Sequence, residues 1–126
     1  MSITNPKILV ADDSSTMRRI LKMTLARCGF EDVTEATDGQ DAVSQCKAQN
    51  FDCVLTDWNM PNMDGLELIV TLRGMPAYAK VPIMMITTEG AKDDVIEALT
   101  RGANAYIVKP FTPDTLKQKM SELLGS

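Results

Sequence analysis

Short apolar runs that each end in a chemically capable polar residue recur along this 126-residue chain, and they constrain its fold more than any other feature. Ile8 to Ala11 leads into Asp12-Asp13, Cys53 to Thr56 into Asp57, Ile83 to Ile86 into Thr87, and Ala105 to Val108 into Lys109. The runs are too short for helices, and amphipathic helical patterns lie between them. That alternation predicts βα units on a parallel sheet. In an open sheet of this kind, ligands bind in the crevice outside the carboxyl ends of the strands. Parallel strands would bring three carboxylates, a hydroxyl and an ammonium to one edge, a set suited to a metal ion and a phosphoryl group.

The helical segments follow from apolar spacing. Met17, Ile20, Leu21, Met23, Leu25 and Cys28 recur at helical intervals, and Gly29 predicts the stop. A weaker strand around Asp32 to Ala36 precedes a helix from Gly39 to Gln49, with Ala42, Val43 and Cys46 inward. A third helix is expected to open at Asp64-Gly65 and bury Leu66, Ile69 and Leu72 before the Gly74-Met75-Pro76 break. A fourth, Asp93 to Arg101, turns Val95, Ile96 and Leu99 inward and ends at Gly102. The last has the clearest start: Thr112 caps the free amides, Pro113 suits the first helical position, and Asp114 complements the helix dipole. Leu116, Met120, Leu123 and Leu124 form its inner stripe. The pattern is (βα) repeated five times, with no segment left for a second domain, so one domain over residues 1–126 is expected.

At 44% hydrophobic residues, a chain of this size can bury one real core. The net charge of -4 suggests neither wrapping of nucleic acid nor attachment to an anionic membrane. No apolar stretch approaches bilayer-spanning length, and the polar stretch Met1 to Lys7 does not read as a secretory signal. Cys28, Cys46 and Cys53 are odd in number and lack metal-ligand spacing, and there is no histidine to complete a zinc site. Buried free thiols in a reducing cytoplasm are therefore expected. The nine methionines read as adaptable packing, and Arg18, Arg19 and Lys22 as a solvated helix face.

Asp12 and Asp13 are neighbours and would face opposite ways in a regular strand, but at a strand end both can lean into one crevice. Together with Asp57 they would gather three negative charges, which repel unless a cation or proton neutralises them. Oxygen ligands without a full protein cage favour Mg²⁺. A carboxylate can itself be the nucleophile in phosphoryl transfer, and Asp57, at the end of the expected central strand, is the candidate. Lys109 offers positive charge and Thr87 a hydroxyl donor. Each residue also has a plainer reading when taken singly. The acid pair before Ser14-Ser15-Thr16 could cap a helix, Asp57 could belong to a turn, and Lys109 could be a solvated loop lysine. Their coincidence at successive strand ends favours the shared site.

These residues also carry a family likeness. Val10-Ala11-Asp12-Asp13, Ser15-Thr16-Met17-Arg18-Arg19, Thr56-Asp57-Trp58-Asn59-Met60-Pro61, Met63-Asp64-Gly65 and Val108-Lys109-Pro110-Phe111 occur in order. Across nearly its whole length the chain resembles the receiver domain of two-component response regulators, and within them the single-domain chemotaxis regulators. The resemblance implies a flavodoxin-like three-layer α/β sandwich whose five parallel strands take the order 2-1-3-4-5. It implies that Asp57 accepts phosphate from a sensor histidine kinase. It also implies that Asp13, Asp57 and the Asn59 main-chain carbonyl bind Mg²⁺ directly, with Asp12 acting through water. Thr87 would hydrogen-bond the phosphoryl group, Lys109 would pair with it, and Tyr106 would reorient as the signal moves outward. The Lys109-Pro110 bond would be cis.

The implied product is a monomeric, cytoplasmic signalling switch that is not a conventional enzyme beyond its own phosphorylation and dephosphorylation. Its output face would be the fourth helix, fifth strand and fifth helix. The partners would be a sensor histidine kinase, a flagellar motor switch protein and a separate phosphatase. The end at Ser126 leaves no expected output domain for DNA. Ser14 and Thr88 depart from what chemotaxis regulators often carry there and bear on phosphate lifetime, while Gly90-Ala91 loosens the start of the fourth helix. Three other readings stand beside this one: a receiver in a non-motility phosphorelay, a small Mg²⁺-dependent phosphohydrolase, and a flavin carrier on the same sheet order. The hydrolase would want a cap insertion, and the flavin carrier a Ser/Thr/Gly-rich phosphate loop where the acid pair sits.

Overall fold

A computed structural model describes residues 5–124, so part of the polar stretch from Met1 to Lys7, and Ser126, lie outside the described residues. The strands are β1 (Ile8–Ala11), β2 (Val33–Ala36), β3 (Cys53–Thr56), β4 (Ile83–Thr87) and β5 (Ala105–Val108). The helices are α1 (Ser15–Arg27), α2 (Gly39–Ala48), α3 (Gly65–Arg73), α4 (Lys92–Arg101) and α5 (Pro113–Leu124), with a 3₁₀ turn at Pro76–Tyr78. All strand pairs are parallel, in the order β2-β1-β3-β4-β5. This is the expected flavodoxin-like α/β fold.

The central strands are apolar throughout because both sheet faces are covered. Along β1, Leu9 and Ala11 enter a core with Leu68, Ile69 and Leu72 of α3, while Ile8 and Val10 enter the opposite core with Leu21, Leu25, Leu116 and Met120. Every residue of β1 and β3 is buried. The register Ala11↔Thr56 places the chain segments after β1 and β3 side by side, which carries Asp12 and Asp57 to the same edge. No helix is long and apolar enough to cross a membrane among the described residues.

The helix ends follow the sequence signals. Asp64 and Glu67 form a reciprocal capping box on α3, and the Thr112 hydroxyl accepts from the Thr115 N–H at 3.1 Å. Ala91 supplies no side-chain cap to α4, as Gly90-Ala91 foretold. The inward stripe differs from expectation on α4, where Ile96 and Leu99 are exposed and Ala98 is the one fully buried residue, and of the periodic apolar set on α1, Ile20 and Met23 are exposed. On α3, Leu68 takes the buried position while Leu66 is half-buried. Cys46 and Cys53 are buried free thiols as expected, whereas Cys28, at the C-terminal end of α1, is only half-buried.

Candidate functional site

The site lies at the carboxyl edge of the sheet, and its backbone is fixed before its side chains are. The Asp12 N–H donates to the Ala36 carbonyl at 3.1 Å, and the Asp57 N–H donates to the Ala11 carbonyl at 2.9 Å. Behind Asp57 the chain turns back so closely that the Gly65 N–H donates to the Trp58 carbonyl at 2.7 Å. A Cβ on Gly65 would stand 2.0 Å from the Asp57 carbonyl oxygen, so only glycine fits there.

Asp12 is 1% exposed, which makes its charge expensive unless it is paired. Its Oδ1 accepts from the Ser14 N–H at 2.9 Å, and its Oδ2 from Lys109 Nζ at 3.0 Å. The same ammonium reaches Asp57 Oδ2 at 3.0 Å, while Asp57 Oδ1 accepts from the Trp58 N–H at 2.6 Å. Asp13 is exposed beside them, and oxygens of Asp12, Asp13 and Asp57 lie within 4.8 Å of one another. Burial works against the Lys109 charge, but its hydrogen bonds to Asp12 and Asp57 and their negative charges outweigh it. Its pKa is thus held above the ordinary lysine value. An all-oxygen cluster of three carboxylates fits a hard divalent cation.

Thr87 is fully buried at the end of β4, one strand away. Its carbonyl accepts from the Lys109 N–H at 2.8 Å, and its hydroxyl from the Glu89 N–H at 3.4 Å. Glu89, which sequence reasoning did not single out, joins three predicted residues. The Tyr106 hydroxyl donates to its carbonyl, the Asn59 amide donates to its carboxylate at 2.9 Å, and its N–H meets Thr87. Its only sequence signal was its place two residues after Thr87. The structure therefore brings Asp12, Asp13, Asp57 and Lys109 together and links Thr87, Asn59 and Tyr106 to them through backbone and Glu89. Ser14 and Thr88 are exposed beside this edge, and the Lys109-Pro110 bond is cis as expected.

Arg18 corrects the reading of a solvated basic face. Its side chain is 13% exposed, with Nε on Glu35 Oε1 at 3.0 Å and Nη1 on the Asp12 carbonyl at 2.6 Å. Long helical side chains lean toward the helix N-terminus, which is how a first-turn arginine reaches the preceding loop.

The two tyrosines give a test of this packing. Burial first, and then the charges of Asp94, Glu89 and Asp57, push the Tyr106 phenol up to about 12. Burial does the same for Tyr78, again to about 12. An unfolded tyrosine ionises near pH 10, so the native state holds these protons more tightly than the unfolded state does. The stability they contribute is complete below about pH 10 and is lost as pH rises through about 12, the direction Lys109 also follows. Phenolate absorbance is expected to appear only as the pH approaches about 12 or as the chain unfolds. A tyrosine titrating near 10 in the folded chain contradicts this packing.

Comparison with known proteins agrees with the geometry. Residues 8–121 match the model of the response regulator receiver domain. The chain is 53% identical over 121 residues to chemotaxis protein CheY1 of Helicobacter pylori, covering 95% of this chain and 98% of that protein. It is likewise 53% identical to the chemotaxis protein CheY homolog of Campylobacter jejuni, over 95% of this chain and 93% of the relative. Chemotaxis response regulator CheY4 of Vibrio cholerae superposes with a TM-score of 0.89 at 36% identity, covering 96% of this chain and all of that one. The receiver domain of sensor histidine kinase PA1611 from Pseudomonas aeruginosa, solved with magnesium coordinated in its active site cleft, gives a TM-score of 0.88 at 28% identity over 98% of this chain and 100% of that one. The chain belongs to the response regulator receiver domains, with CheY chemotaxis proteins among its relatives.

Proposed function

We propose that Asp57 takes a phosphoryl group from the phosphohistidine of a sensor kinase, and that this modification switches the chain's affinity for the flagellar motor switch. The observation that carries the reading is the Lys109 ammonium held at 3.0 Å from both Asp12 and Asp57, with Asp13 open beside them. In the transfer, an Asp57 carboxylate oxygen attacks phosphorus. A P–O bond forms as the P–N bond breaks, and the released imidazole nitrogen takes a proton from solvent. Negative charge spreads over the phosphoryl oxygens, so catalysis is mainly positioning and charge stabilisation. Lys109 and the Thr87 hydroxyl supply that from this chain. Asp13, Asp57 and the Asn59 main-chain carbonyl would hold Mg²⁺, with Asp12 acting through water, and the ion adds positive charge against those same oxygens.

The route outward runs through Thr87, Glu89 and Tyr106. A phosphoryl group that takes the Thr87 hydroxyl competes with the bond from the Glu89 N–H to that hydroxyl, and so disturbs the Glu89 carbonyl that Tyr106 engages. Tyr106 lines an open groove of about 550 Å³ with Val95, Leu99, Lys119 and Leu123. The uncapped α4, fully burying only Ala98, is the natural part of this face to move. A dedicated phosphatase completes the proposed partners. Action in the cytoplasm suits the three free thiols.

The test is incubation with a small acyl phosphate in Mg²⁺ buffer, followed by intact-mass measurement. A single added phosphoryl group, labile as acyl phosphates are, is expected; no adduct from that donor or from a chemotaxis-type sensor kinase overturns the reading. Because Trp58 follows Asp57 directly and its N–H holds the Asp57 carboxylate, Mg²⁺ is also expected to change its fluorescence. A titration flat by fluorescence and silent by calorimetry removes the metal.

A further inference from the structure

Arg18 takes no part in the chemistry proposed above, yet its contacts reach the acid pair. The carbonyl it holds at 2.6 Å belongs to the peptide joining Asp12 to Asp13, so that contact sets the direction in which Asp13 leaves the backbone. Asp12 is fixed independently, by Ala36, Ser14 and Lys109. Among the described residues, no hydrogen bond holds the Asp13 carboxylate, so its aim depends on the peptide before it. Glu35 anchors the guanidinium on the far side at 3.0 Å, and Lys22 lies 3.9 Å from its other carboxylate oxygen.

We propose that Arg18, anchored by Glu35, is a positioning residue that aims the Asp13 carboxylate at a divalent cation. This rests on the metal reading above. The planar guanidinium can serve two acceptors in fixed geometry, which a lysine at this position could not. The pairing with Glu35 matters electrostatically as well. An unpaired guanidinium beside three carboxylates would compete with the cation for them, whereas the ion pair orients the turn with little net charge.

Positioning and simple charge make opposite predictions. If Arg18 acted only as a nearby positive charge, removing it would tighten cation binding; if it positions Asp13, removing it loosens binding. Mg²⁺ is titrated by Trp58 fluorescence and calorimetry into the full chain, Arg18→Met and Glu35→Gln at low and moderate salt, with metal-free melts alongside. Arg18→Met is expected to bind Mg²⁺ about tenfold more weakly while still melting cooperatively, the size of loss typical when a partner that orients a metal ligand is removed. Glu35→Gln is expected to weaken binding at low salt, with its gap from the parent chain narrowing as salt screens the unpaired guanidinium. Equal or tighter binding by a folded Arg18→Met overturns the inference. If that variant does not fold, unchanged low-salt affinity in Glu35→Gln overturns it instead. A parent chain that binds no Mg²⁺ overturns the metal reading and this inference together, whereas a parent that binds while the variants match it overturns this inference alone.

Discussion

Asp57→Asn is expected to reduce phosphoryl labelling to background while leaving the fold intact. The amide is close in shape to the carboxylate and keeps one acceptor oxygen, enough for the Trp58 N–H or for Lys109 Nζ but not for both, and Lys109 stays paired with Asp12. What disappears is the anionic nucleophile, because a neutral amide oxygen attacks phosphorus poorly. Stability is expected to hold or rise in the absence of metal, since one of three carboxylates whose oxygens lie within 4.8 Å is gone and their mutual repulsion falls. Intact mass and a thermal melt on the same sample separate the two effects. Full labelling of a folded Asp57→Asn would move the acceptor elsewhere.

The strand ends were legible in the sequence because β1 and β3 are buried on both faces, which leaves an uninterrupted apolar run that stops where the chain reaches the site. Helix positions were legible for a similar reason, but their buried faces were not. On α1 and α4 the apolar residues extend round the helix, so spacing alone placed Ile96 and Leu99 inward when they face solvent, and it could not tell Ile20 and Met23, which are exposed, from the buried Leu21 and Leu25. Strand order came from the family resemblance, since a run of alternating elements does not specify which strands pair. Glu89 escaped notice and Arg18 was read as a solvated face because their roles depend on tertiary approach. Glu89 meets Asn59 across 30 residues of sequence and Tyr106 across 17, and Arg18 meets Glu35 across 17. No local pattern encodes such meetings, whereas the Thr112 cap and the Asp64 capping box are written within one helical turn.

Lys109→Met is expected to lower metal-free stability at neutral pH by about 3 kcal/mol, as removal of one partner from a buried ion pair leaves the other charge uncompensated. The Lys109 side chain is 9% exposed and its partner Asp12 is nearly inaccessible, so water cannot replace the lost ammonium at Asp12. Methionine keeps much of the stem's packing volume, which confines the loss mainly to charge. One condition should restore stability. Mg²⁺ is expected to stabilise the variant by mass action, and to bind it more tightly than the parent chain because the competing ammonium has gone. Acyl phosphate should still label Asp57, but the phosphoryl group would lack the ammonium that draws it toward Asp12 and Thr87, and labelling should no longer raise affinity for the output partner. Chemical denaturation with and without Mg²⁺, together with partner binding before and after labelling, checks each part. A Lys109→Met chain as stable as the parent without metal would mean that Asp12 is neutralised by something other than Lys109. Undiminished coupling of labelling to binding would mean that the signal bypasses Lys109.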